Sequence, residues 1–123
     1  MSSNLIAWFE IYVQDIGRAR AFYEQVLGCT LSRLPVEAVE MWAFPGPTPE
    51  APAPGALMQV PGLPSGGNSC VLYLHCADCA EAAARVEAAG GQLRRPKMSI
   101  GSYGFVALAL DTEGNLFGLL SSV

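Results

Sequence analysis

The sequence predicts an α+β fold of two tandem β-α-β-β-β modules. Three observations carry that prediction. Shifting the chain by about 63 residues places Asp15 on Asp78, Ala19 on Ala82, Ala21 on Ala84, Glu24 on Glu87 and Gly28 on Gly91. Each matched set follows an apolar run of strand character, residues 8–13 in the first half and 71–76 in the second. Each set is then followed by three more strand-like segments. A long period used only twice reads as duplication of a module rather than as a small repeat unit.

The elements follow in order. Residues 8–13 are the first strand. Asp15 is placed to cap a helix, its carboxylate accepting from the free amides of the first turn. Ile16, Ala19, Tyr23, Val26 and Leu27 recur at helical spacing, and Gly28 suits the left-handed position that ends the helix. Strands are expected at 30–34, 39–44 and 56–60. In the second half the strand 71–76 leads into Asp78 and Glu81, which have the spacing of a capping box. Ala82, Ala83, Val86 and Ala89 form the buried stripe, Gly90 and Gly91 stop the helix, and strands are expected at 92–95, 105–110 and 116–121. Residues 45–55 hold five prolines and read as a surface loop. The Pro-, Gly- and Ser-rich stretch 61–69 reads as a linker, and Asp111-Thr112-Glu113-Gly114-Asn115 as a hairpin turn. The expectation is one domain over residues 1–123, with module 1 at about 4–60, the linker at 61–69 and module 2 at about 70–123.

Composition narrows the function. The 123 residues are 51% hydrophobic and 15% charged, with seven basic against eleven acidic groups and a net charge of −4. That balance argues against nucleic acid or an anionic membrane as the main partner. No apolar stretch approaches the ~20 residues of a membrane span. Met1-Ser2-Ser3-Asn4 lacks the basic start of a secretion signal, so a cytoplasmic location is expected. The four cysteines then read as thiols rather than a disulfide framework. Cys29 and Cys70 are expected as small buried hydrophobes.

These residues resemble the vicinal oxygen chelate superfamily, which includes glyoxalase I, bleomycin-resistance proteins and extradiol dioxygenases. The matches are Trp8-Phe9-Glu10-Ile11 running to Asp15, Arg18-Ala19, Phe22-Tyr23, Leu27-Gly28, Gly90-Gly91, and the run from Asp111 through Asn115 to Leu119. The resemblance implies mixed sheets curled around a cleft, helices on the outside, and a cleft formed within one chain or across a homodimer. It also implies, in metal-dependent members, four His or Glu ligands on the first and last strands of each module. Carried over by position, those sites fall near Trp8, Val71, Met58 and Gly118, none of which offers an imidazole or carboxylate. Slips along the strands offer only Gln59, Cys70 and Glu10. No metal and no other cofactor is therefore expected.

Strand alternation puts Trp8, Glu10 and Tyr12 on one face and Phe9, Ile11 and Val13 on the other. The uniformly apolar set is the core face, which leaves Glu10 facing the cleft between two aromatics. Partly desolvated there, it would serve as a general base or a hydrogen-bond anchor; the plainer reading pairs it with an arginine or with backbone amides. Tyr73 and His75, the only histidine, share the matching face in module 2. His75 is a candidate catalytic group or a hydrogen-bonded rim residue. Cys76 and Cys79 have C-x-x-C spacing, either a redox pair or merely the end of a strand and the start of a helix. Gly101-Ser102-Tyr103-Gly104 is a turn or a lip laying Tyr103 over the cleft, and Arg94, Arg95 and Lys97 are a solvated edge or an anion contact.

The leading expectation is a small-molecule binder whose ligand meets Trp8, Glu10, Tyr12, Met58, Tyr73, His75 and Tyr103. The alternatives are a lyase, isomerase or dioxygenase-type enzyme, using Glu10 as base or an atypical metal site, with Glu10 and His75 as the catalytic candidates, and a structural or partner-binding module.

Overall fold

The computed structural model describes residues 5–123; Met1 to Asn4, read above for a leader, lie outside them. Module 1 comprises β1 (Phe9–Tyr12), α1 (Ile16–Leu27), β2 (Ser32–Arg33), β3 (Glu40–Ala43) and β4 (Gly55–Gln59). Module 2 comprises β5 (Tyr73–His75), α2 (Cys79–Val86), β6 (Gln92–Ser99), β7 (Phe105–Leu110) and β8 (Leu116–Ser121). The strands form two four-stranded sheets of identical plan, β1-β4-β3-β2 and β5-β8-β7-β6. In each, the first and last strands of the module pair in parallel and the other pairs are antiparallel. The α+β duplication is thus as expected, but the sheets are not strongly curled. Each sheet has only four strands and one very short edge strand, β2 of two residues in the first and β5 of three in the second, which limits the twist a sheet can accumulate.

The helix ends follow from the caps. Asp15 accepts from the Arg18 amide, and Gly28, at φ 65°, closes α1 by donating to the Glu24 carbonyl. Asp78 accepts from the Ala80 amide at the start of α2. Ala19, Phe22, Tyr23 and Val26 of α1 and Cys79, Ala82, Ala83 and Val86 of α2 are buried. Phe22 lies outside the stripe read from the sequence. It is accommodated because Gly91, at the end of the α2 turn, has no Cβ: one would stand 2.5 Å from the Phe22 ring. β6 continues to Ser99, past the expected end at residue 95. Its Pro96 is tolerated because β6 is an edge strand whose register breaks between Arg95 and Met98.

The two helices contact each other, and Arg85 of α2 donates twice to the Val26 carbonyl of α1. One buried cluster takes residues from both helices and both sheets. Tyr23 sits in its middle, meeting the rings of Phe22, Phe44 and Phe117 edge-on at 5.1–5.5 Å. Burying each such ring contributes about 1.5–3 kcal/mol. The helices and core cover one face of each sheet; on the opposite face the edge strands β1 and β5 carry the exposed Glu10, Tyr73 and His75, while Ala56 and Met58 of β4 are buried.

The β7–β8 turn locks module 2 onto the start of α1. Glu113, its side chain fully buried, accepts from the amides of Gln14 and Asp15, the Arg18 guanidinium and the Thr112 hydroxyl. Asp111 accepts from the Glu113 and Asn115 amides and from the Tyr23 hydroxyl at 2.6 Å. Asn115 donates to the Tyr12 carbonyl and accepts from the Gly66 amide. In the sequence this segment reads as a hairpin turn and a family match, and nothing in it signals the contacts to α1.

Candidate functional site

Glu10 and Tyr12 of β1, with Trp8 just before it, follow the alternation of the pleat onto the face away from the core. The Trp8 indole N–H donates to Glu10 Oε2 at 3.2 Å, and the Tyr12 hydroxyl donates to Glu10 Oε1 at 2.7 Å. Both donors lie two residues from the carboxylate, on the same face of one strand. That hydrogen bond, more than burial, raises the Tyr12 pKa, because it stabilises the protonated phenol beside an anion. Glu10 itself is exposed rather than desolvated, and among the described residues neither an arginine nor a backbone amide holds it.

Glu10 and Tyr12 line a cavity of about 290 Å³. It runs beside β1, between that sheet edge and the linker segment leading into β5. Its floor is formed by Tyr23, Phe117, Phe9 and Ile11, and its far wall by Leu72, Cys70, Asn68 and Pro64 to Gly66. Cys70, expected to be buried, is exposed on this rim because β5 begins only at Tyr73, leaving Cys70 in irregular chain. Cys29 is partly buried, and the fully buried thiol is Cys79.

The remaining candidates stand elsewhere. Tyr73 and His75 are exposed on the open face of the second sheet, and neither lines the cavity. Met58 lies beside Tyr12 on the first sheet, is buried, and does not line the cavity. Tyr103, in a 3-10 turn, is 82% exposed and does not line the cavity either. Lys97 pairs with Asp78 at 3.0 Å and lies over the Phe105 ring, so it is not a free basic group. Its hydrogen bond is also the main reason the Asp78 pKa is lowered. At the C-x-x-C segment, Cys79 is buried with its thiol on the Phe105 carbonyl, while burial and the neighbouring Cys79 push the Cys76 thiol up to about 12. A thiol held protonated in this way is a poor nucleophile.

Residues 5–119 match the sequence profile of the Glyoxalase/Bleomycin resistance protein/Dioxygenase superfamily. The chain belongs to that superfamily. CFP32 of Mycobacterium tuberculosis, provisionally named a glyoxylase, is 30% identical over 125 aligned residues, covering 96% of this chain. The chain spans 44% of that relative's length. Among solved structures, glyoxalase I from Zea mays aligns with a TM-score of 0.73 at 21% identity, over 94% of this chain and 45% of the maize chain. TnmS3, an antibiotic binding protein from Streptomyces sp. CB03234, aligns with a TM-score of 0.67 at 24% identity over 98% of both chains.

As a glyoxalase-superfamily fold, the chain can be compared with the ligand positions of metal-dependent members. The register sharpens that comparison. Glu10 pairs with Ala56 as Tyr73 pairs with Gly118, so Ala56, not Met58, is the counterpart of Gly118. The four positions therefore hold Trp8, Ala56, Val71 and Gly118, and the Tyr73 ring lies directly over the bare Gly118 backbone. Among the described residues no three His, Cys, Asp or Glu side chains converge as a metal-binding group. The donor set of this chain does not fit the superfamily's metal.

Proposed function

We propose that this protein binds a small organic molecule in the cavity beside β1, anchored by Glu10 and needing no cofactor. One observation carries the reading: a carboxylate held by Trp8 and Tyr12 opens onto a largely apolar cavity whose floor is core aromatic side chains. The cavity is at the low end of the ~300–1,000 Å³ usual for small-molecule pockets, so the ligand is small. The antibiotic-binding neighbour and the glyoxylase-named relative support a binding or small-substrate role. Binding is favoured over catalysis because His75, the acid–base partner an enzyme would want beside Glu10, does not line the cavity. Four free thiols fit a cytoplasmic site of action.

The test is a thermal-shift screen of small aromatic and heteroaromatic compounds, with native mass spectrometry to find a co-purified ligand. Trp8 itself does not line the cavity, so the control variant is at Tyr12: compounds that raise the Tm of the wild type and fail to raise that of Tyr12→Ala support the reading. A screen in which no compound shifts the wild type removes it in favour of a purely structural module.

We also propose a homodimer. Trp8 at 39% and Tyr73 at 46% exposure, with Met98, leave apolar surface on both open faces, and a second copy would cover it. Light scattering is expected to give about 26 kDa, twice the 13.0 kDa chain. A 13.0 kDa particle at micromolar concentration overturns this.

A further inference from the structure

The hydrogen-bonding state of the cavity points to the charge of its ligand, an inference that rests on the binding reading above. We infer that the site selects organic cations, an aromatic or heteroaromatic ring carrying an ammonium or amidinium group that lies against Glu10.

Among the described residues, Glu10 is the only Asp, Glu, Lys, Arg or His that lines the cavity. The side-chain donors along its wall are already engaged within the protein. The Tyr12 hydroxyl donates to Glu10, the Tyr23 hydroxyl to Asp111 and the Ser65 hydroxyl to the Glu113 carbonyl. The Asn68 amide donates to the carbonyls of Cys70 and Leu116, and the Asn115 amide to the Tyr12 carbonyl and Asp111. Only the Cys70 thiol remains, and a thiol is a weak donor.

What remains available is acceptor capacity. Each Glu10 oxygen takes one hydrogen bond from its neighbours and keeps a lone-pair site for another. An anionic ligand would meet a carboxylate with no free side-chain hydroxyl or amide to offset it, and a neutral acceptor would find only the weak Cys70 thiol among the side-chain donors. A cation satisfies the free lone pairs and is also attracted to the ring of Tyr12, which lines the cavity. The Trp8 N–H and Tyr12 O–H hold the carboxylate in one orientation, so little freedom is lost when a ligand arrives.

The experiment uses three compounds of one shape: 1-naphthylmethylammonium, 1-naphthylmethanol and 1-naphthoate. Calorimetric titration of the full chain at pH 7 and low salt is expected to show the ammonium binding about tenfold tighter than the alcohol, with the naphthoate weakest. Glu10→Gln is expected to bring the ammonium down to the alcohol. Glu37→Gln removes the same charge from the exposed loop between β2 and β3, outside the cavity, and is expected to leave the preference intact. Equal binding of the three compounds, or a preference that survives Glu10→Gln, overturns the selection for cations while leaving the binding site in place. If none of the three binds, the binding reading falls with it.

Discussion

Two glutamates stand within reach of the first strand and its helix, and they are used in opposite ways. Glu113 arrives from the other module, is fully buried, and has both oxygens filled by Arg18, two backbone amides and Thr112. Glu10 belongs to β1 itself, is exposed, and takes its two hydrogen bonds from residues two positions away. The buried carboxylate joins distant parts of the chain and has nothing left to offer a ligand. The exposed one is fixed in orientation yet open to solvent, as a recognition group must be. Partner origin and residual lone pairs, rather than residue type, separate the structural acid from the functional one.

The widest test of that contrast removes each carboxylate in turn. Glu113→Ala leaves the amides of Gln14 and Asp15 without their carboxylate acceptor and strands the half-exposed Arg18. It is expected to cost about 2–3 kcal/mol in urea unfolding, and a loss under about 0.5 kcal/mol would show that the turn does not lock the modules. Tyr23→Phe keeps the ring packing but removes the donor to Asp111, whose Oδ2 retains only Asn115. About 1–2 kcal/mol is expected from the same measurement.

The acid limb of stability separates the two sites by pH. Burial alone would raise the Glu113 pKa, but Arg18, Thr112 and the amides of Gln14 and Asp15 bring it from 4.5 down to about 2. A folded pKa below the unfolded one adds stability that is complete above pH 4.5 and is lost as pH falls toward 2. Glu113→Gln is expected to lack that part of the stability–pH curve, whereas Glu10→Gln is expected to keep it. The smallest effect is on stability itself: Glu10→Gln should lie within about 0.5 kcal/mol of the wild type, since it alters an exposed group.

Much of this architecture is legible in the sequence because it is local. Asp15, Gly28 and Asp78 act where their neighbours are close in the chain, and pleat alternation alone sends Trp8, Glu10 and Tyr12 to the open face. The Glu113 lock is illegible, since its amide donors Gln14 and Asp15 lie almost a hundred residues away and no spacing records them. The candidate site is legible by half for the same reason. Parity places Tyr73 and His75 on an open face, but where module 2 sits beside module 1 is set by the packing of α1 on α2, through contacts such as Arg85 on Val26. Cys70 is misread because burial was inferred from composition, while its position depends on where the parallel pairing of β5 begins.

The direct measurement is a backbone NMR titration of the full chain with 1-naphthylmethylammonium. Amide shifts confined to Glu10, Tyr12, Cys70, Leu72 and Leu116 are expected, with the Glu113 lock and the Tyr73–His75 face unmoved. Shifts centred on Tyr73 and His75, or a saturating response that is the same in Glu10→Gln, would contradict a ligand site built on β1.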